Sequence, residues 1–296
     1  MGALSRANRA ALAAVRAAAE RDRPRDLARI AAVLAAAGAD ADPAMLVAAT
    51  AAAAPLTINF HPDRLLADGR RVDEALLEEG VYRSQLETRI SGGGLTAHPG
   101  GDRDRWERDL FGGAYDEAPA AERPRYGGLN LLRHLNGACP GFGSCHLRLR
   151  PAALERTTFT WGDSNTEPTH IGVIDAFEPV LTPLLEKTGD WRGAEPALTH
   201  DLTHYVEAQV HGVVTLAAEW QPPIELPLER IPAEASEGAV WEWEHFCAGG
   251  RARALAERVT GGAPLDAASI GRAAVAGEHD PQQLKYLWRM TVAYGG

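Results

Sequence analysis

The eight residues Tyr205-Val206-Glu207-Ala208-Gln209-Val210-His211-Gly212 alternate strictly between polar and apolar up to the closing glycine. A β-strand sends successive side chains to opposite faces, so this run predicts a strand with Val206, Ala208 and Val210 on one face. Tyr205, Glu207, Gln209 and His211 then occupy the other. The apolar face needs a core to lie on. The polar face brings a carboxylate, an amide and an imidazole where an ordinary solvated strand carries Lys and Thr. It reads either as a solvated face or as the wall of a cleft.

The rest of the chain must supply that core. Residues 5 to 54 are rich in Ala, the best helix former, with punctuation at Pro24 and from Asp40 to Pro43. Three short helices are expected there, forming an N-terminal helical segment (1–54) ahead of a catalytic domain (55–296). After Pro55 the texture changes. Leu56 to Phe60 alternates like a half-buried strand, Val72 to Glu79 reads as a helix stopped by Gly80, and Val81 to Glu87 as an extended segment. Further strands are expected at Tyr126 to Leu132, Ser144 to Leu149, Thr157 to Trp161 and Val206 to Leu216, with a short helix around Trp106. The proline-rich stretch Gln221 to Gly238 reads as a linker or edge. Helices near Arg251 to Val259 and Pro281 to Tyr294 close the chain. Helices followed by mostly antiparallel strands with helical insertions make an α+β fold.

With 296 residues and 45% hydrophobic content, the chain is long enough to bury a sizeable core. Its net charge of -10 argues against non-specific attraction to nucleic acid or anionic lipid. The three cysteines, Cys139, Cys145 and Cys247, lack C-x-x-C spacing, so neither a disulfide framework nor a thiolate zinc site is indicated. Arg6, Arg9, Arg16 and Glu20 interrupt any signal-peptide core, and no apolar run reaches the length of a membrane span. A cytoplasmic protein without a membrane partner is expected.

Several groups of residues suit a small-molecule site. At the end of the first expected strand, His61-Pro62-Asp63-Arg64 exposes an imidazole, a carboxylate and a guanidinium, although a salt bridge between Asp63 and Arg64 or a helix cap explains them as well. In the next extended segment, Arg83 offers a planar donor fork suited to a pyrophosphate. Ser84, Gln85 and Thr88 offer partners for ribose or amide groups. The Gly92-Gly93-Gly94 loop that follows matches neither a dinucleotide fingerprint nor a P-loop. His200, His204, Glu207 and His211 recur at helical spacing that suits zinc, but the valines among them favour a strand. Gly162-Asp163-Ser164 lacks a nucleophile elbow, and Cys145 and His146, as neighbours on a strand, point to opposite faces.

Two resemblances add to this. From Leu56 to Ser164, the motifs His61-Pro62-Asp63-Arg64, Ser84-Gln85-Leu86-Glu87-Thr88, Gly93-Gly94-Leu95-Thr96-Ala97 and Phe111-Gly112-Gly113-Ala114-Tyr115-Asp116 resemble an uncharacterised bacterial family of domains of unknown function. More distantly, Arg125-Tyr126-Gly127, the run Arg156 to Ser164 and the run Tyr205 to Gly212 resemble, in that order, toxin- and phage-associated ADP-ribosyltransferases. That resemblance implies a pair of small antiparallel sheets with a cleft for NAD, which serves as substrate. Glu207 falls at the catalytic carboxylate, Tyr126 at the aromatic that stacks on nicotinamide, and His61 or Arg83 at the dinucleotide anchor. Arg64, Ser84, Gln85, Thr88 and Gln209 complete the expected NAD-binding set, with the acceptor of ADP-ribose undefined. Gln209 stands where the arginine-modifying pattern has a glutamate. The alternatives are a metal-dependent hydrolase using His200, His204 and His211, and a catalytically inactive NAD-fold module that binds a partner protein.

Overall fold

The structure is a computed structural model, which describes residues 3–61, 64–90, 97–131, 133, 137–139, 142–143, 145–164, 168–188, 205–216, 251–262, 267–279, 283–284 and 287. The chain divides into two compact units, one of Met1–Ile58, Val81–Ala138 and Arg148–Thr215, the other of Asn59–Gly80, Cys139–Leu147 and Leu216–Gly296.

The first unit opens with one long helix, α1 (Arg6–Ala36). Ser5 caps it: the Ser5 hydroxyl accepts from the Asn8 amide, and the Asn8 side chain accepts in return from the Ser5 amide. The break expected at Pro24 does not occur. A mid-helix proline costs about 3 kcal/mol in isolation, but here packing holds the helix on both sides of it. Ala11, Leu12, Val15 and Ala19 are buried before Pro24 and Ile30 after it, while Arg16, Arg23 and Arg29 pair with Asp175, Glu178 and Glu186. A second helix, α2 (Pro43–Ala53), is capped by Asp42 and starts with proline at its first position.

The strands follow. They are β1 (Leu56–Phe60), β2 (Val81–Tyr82), β3 (Arg125–Leu129), β4 (Cys145–Arg148), β5 (Thr157–Trp161), β6 (Ile171–Val173), β7 (Val206–Val210) and β8 (Val214–Thr215). Six of them form one sheet in the order β4-β1-β3-β7-β5-β6, and β2 pairs with β8 in a two-stranded ribbon. The fold is α+β. Where the sequence suggests one strand from Val206 to Leu216, Gly212 turns the chain at φ +78°, a left-handed conformation that glycine takes without strain. The Arg156 guanidinium fastens this turn by donating to the carbonyls of His211 and Val213.

Between β2 and β3 lie α4 (Gln85–Thr88) and α5 (Asp102–Phe111); α3 (Val72–Glu79) precedes β2, and α6 (Glu178–Thr188) follows β6. The extended stretch expected through Glu87 ends at Tyr82, because Ser84 and Glu87 form a reciprocal capping box that starts α4. Against α1 pack Phe111, Tyr115, Val173 and Ala176, and Phe159 of β5 meets Phe177 edge-on at 5.5 Å. In the second unit, α3 ends at Gly80 as the sequence indicates, and α7 (Arg251–Thr260) packs on α8 (Ala267–Ala276). Gln221 to Gly238 and most of the expected helix Pro281 to Tyr294 lie outside the described residues. No described helix is long and apolar enough to cross a membrane.

One glycine sets the spacing of the sheet. A Cβ on Gly127 would stand 2.2 Å from the Thr57 carbonyl oxygen and 2.9 Å from Ile58 Cγ1, so β3 could not keep its distance from β1. Gly127→Ala is therefore expected to lower unfolding free energy by about 1–3 kcal/mol, the usual cost of overpacking, measurable by urea titration. Wild-type stability in this variant would show that the two strands can separate freely.

Candidate functional site

All five residues of β7 are buried, so the polar side of the alternation is a covered interior surface. Residues opposite one another in antiparallel strands share a face. Tyr126 and Gly128 of β3 lie opposite Gln209 and Glu207, and Thr158 and Thr160 of β5 lie opposite the same pair from the other side. The three motifs that carry the ADP-ribosyltransferase resemblance thus run through three adjacent strands.

Glu207 sits at the centre of this face. Its Oε2 accepts from the Tyr205 hydroxyl at 2.9 Å and from the Ser164 amide at 3.3 Å, and its Oε1 accepts from Gln209 Nε2 at 2.9 Å. Burial and the charge of Asp163 nevertheless outweigh Arg103 and these donors and push its pKa up to about 7.

Gln209 gives the surrounding hydrogen bonds a direction. Its Nε2 donates to Glu207 and to Thr160 Oγ1, which leaves its Oε1 to accept from the Thr158 hydroxyl at 2.8 Å. Thr158 Oγ1 can then only accept from His211, at 3.0 Å, so His211 carries its proton on Nε2. His211 Nδ1 accepts from the Tyr115 hydroxyl at 2.5 Å, and the Tyr115 oxygen accepts from Asn8 Nδ2 at 3.0 Å. Burial, with Arg156 nearby, holds the His211 pKa down to about 3, so the ring is neutral as this pattern requires.

Helix α5 covers the same face with charge. The Arg103 guanidinium lies 4.2 Å from the Tyr126 ring centroid and 5.0 Å from that of Trp106, and its Nη1 donates to Ser164 Oγ at 2.7 Å. Tyr126 donates its hydroxyl to Glu107 Oε1 at 3.0 Å, and Arg123 bridges Glu107 and Asp104 at 2.8 and 2.7 Å. Burial raises the pKa of Glu107 against the pull of Arg123, and burial with Glu107 raises that of Tyr126.

The expected site residues divide accordingly. Glu207, Gln209 and Tyr126 come together, but the three hydrogen bonds of Gln209 all go to the chain itself. Ser84 and Thr88 are likewise committed: the Ser84 hydroxyl caps α4 and donates to the Ala120 carbonyl, and the Thr88 hydroxyl donates to the Ser84 carbonyl. Arg83 and Gln85 are half-buried beside them. His61, buried, and Arg64, half-buried, belong to the second unit. Of the zinc-like spacing, His200 and His204 lie outside the described residues, and both ring nitrogens of His211 are engaged. No group of three or more candidate metal ligands occurs among the described residues. Hydrophobic pattern alone misses Arg103, Glu107, Arg123, Tyr115 and Thr158; for Thr158 the only signal is its alternation with Thr160.

The two shifted groups oppose each other in stability. Below its unfolded value near 6.5, His211 takes up a proton in the unfolded chain that the folded protein refuses, so its contribution is lost as pH falls towards 3. Glu207 holds its proton in the folded protein to about pH 7 but loses it near 4.5 when unfolded. Its contribution is full below 4.5 and lost as pH rises through 7. Between 4.5 and 6.5 the slopes offset one another. Urea unfolding across that window is expected to show His211→Gln losing stability relative to wild type with each step up in pH, by up to about 1.4 kcal/mol per unit. Parallel profiles for the two proteins would contradict the buried neutral imidazole.

No curated protein matches the chain. The strand bearing Glu207 lies beyond the residues that a family model matches. Over residues 56–194, which include β3, β5 and α5, the chain matches the family described as Protein of unknown function (DUF3626).

Proposed function

We propose that the protein is an NAD-dependent ADP-ribosyltransferase in which Glu207 is the catalytic carboxylate. The observation that carries this reading is the state of Glu207: a carboxylate poised near neutral pH, aimed by three donors, on a sheet face shared with Tyr126. Breaking the glycosidic C–N bond of NAD leaves the electron pair on nicotinamide and a positive charge developing on the ribose carbon. An ionised Glu207 stabilises that charge and accepts from a ribose hydroxyl. The acceptor then attacks the ribose carbon and gives up its proton. Its identity is open.

The residues around Glu207 fit supporting roles. Tyr205 and Gln209 fix the carboxylate and leave it few rotamers to search. The Tyr126 ring already has a cation on its face, in Arg103, and the nicotinamide ring is itself cationic before cleavage. Arg83 and Gln85 remain as dinucleotide contacts, whereas the hydroxyls of Ser84 and Thr88 serve the turn that presents them.

Incubation of the purified chain with NAD is expected to release nicotinamide, and Glu207→Gln to slow release by at least about 100-fold, the order lost when a group stabilising transition-state charge is removed. Because the ionised form acts, the rate should rise with pH through an acid limb near 7. Equal release by wild type and Glu207→Gln would end the assignment. Binding of NAD without turnover would favour an inactive interaction module.

A further inference from the structure

We infer that Arg103 and Ser164 form the binding point for an oxyanion of the site's ligand, and that this anion is a phosphate group. Arg103 is only 6% exposed, yet no carboxylate stands within ion-pairing distance of it among the described residues. Its one hydrogen bond runs from Nη1 to Ser164 Oγ, and its Nε is buried with no partner. Arg123, buried to the same degree, spends its charge on Asp104 and Glu107 at 2.7 and 2.8 Å. Glu207, Asp163 and Glu107 lie near enough to Arg103 to hold its proton on, so it is a permanent cation.

A buried guanidinium with open donors is costly, because desolvation is not repaid by hydrogen bonds. The open part is specific. With Nη1 engaged, Nε and Nη2 remain as the side of the fork that takes a carboxylate or phosphate with two parallel hydrogen bonds. Ser164 Oγ accepts from Nη1 and has no acceptor for its own proton among the described hydrogen bonds, so it adds a third donor. The rings of Tyr126 and Trp106 hold the guanidinium in place. The open Nε and Nη2 edge and the uncommitted Ser164 proton supply donors and no acceptor, which suits an anion with several oxygens better than a carboxylate with two. That the phosphate belongs to the pyrophosphate of a dinucleotide rests on the ADP-ribosyltransferase reading; that an oxyanion binds there does not.

The test is calorimetric titration of the full chain with inorganic pyrophosphate, and separately with NAD, for wild type, Arg103→Met, Arg103→Lys and Ser164→Ala. Wild type is expected to bind pyrophosphate, with affinity reduced at least tenfold in Arg103→Met, several-fold in Ser164→Ala, and to an intermediate degree in Arg103→Lys, which keeps the charge and loses the fork. Far-ultraviolet circular dichroism and thermal melting establish that each variant folds; if Arg103→Met does not, Arg103→Lys and Ser164→Ala decide. No pyrophosphate binding by wild type, or equal affinity across the folded variants, overturns the inference. Pyrophosphate binding through Arg103 without cleavage of NAD upholds it and defeats the proposed activity. NAD cleavage with KM unchanged in the folded Arg103 variants does the reverse.

Discussion

A carboxylate in an inner strand of a sheet has to be satisfied by its own strand and by the segments around it, because no bulk water reaches it and an unpaired buried charge costs several kcal/mol. Glu207 meets this condition with Tyr205 and Gln209, two residues away on either side, and with the Ser164 amide just beyond β5. Gln209 in turn needs an acceptor for its second N–H and a donor for its oxygen, and Thr160 and Thr158 supply them from β5. The polar alternation of β7 and that of β5 are therefore one requirement met on two strands. Replacing any single member leaves another buried group unpaired, so the network is expected to act as a unit.

Above this layer the charges are ordered as well. Starting from Glu207, the sequence of groups is the Arg103 cation, the Tyr126 ring, the Glu107 carboxylate, Arg123 and Asp104. Each link is a hydrogen bond, an ion pair or a cation over a ring, apart from the first. Arg103 influences Glu207 through space while donating to Ser164, the same residue whose amide holds Glu207. The raised pKa of Glu207 reflects this arrangement: burial and Asp163 favour the proton, and a cation kept at a distance only partly opposes them.

Periodicity made some of this legible in the sequence and hid the rest. Strands β1 and β5 and helix α3 have the expected bounds because their apolar spacing and their terminators, Pro55 before β1 and Gly80 after α3, agree. The strand Val206 to Val210 is legible too, and Glu207 with it. What alternation cannot tell is whether a polar face meets solvent or a second polar layer, since both give the same pattern. Helix α5 shows why that layer was missed. Its buried residues are Arg103, Asp104, Glu107 and Phe111, so one turn after another turns charge inward. Hydrophobic periodicity reads that stripe as the solvent side. The continuous helix through Pro24 and the short helix at Gln85 were hidden for different reasons: tertiary packing overrides the proline, and a capping box overrides the extended propensity around it.

The alanine-rich start of the chain reads from composition as a preface, yet its first turn reaches the polar face of the sheet. Asn8 is the third residue of α1, and its Oδ1 is spent on the Ser5 amide in the capping box. Only Nδ2 is left to face inward, where it donates to Tyr115 and to the Glu122 carbonyl. An amide fixed in this sense obliges Tyr115 to donate to His211. That obliges His211 to donate through Nε2 to Thr158, and Thr158 to donate to Gln209. The last donor in the series is the Gln209 amide on Glu207. A helix cap near the N-terminus and the orientation of Gln209 at the carboxylate thus enforce the same direction from opposite ends. This agreement allows a neutral histidine, two threonines and an amide to be buried together without an unsatisfied proton.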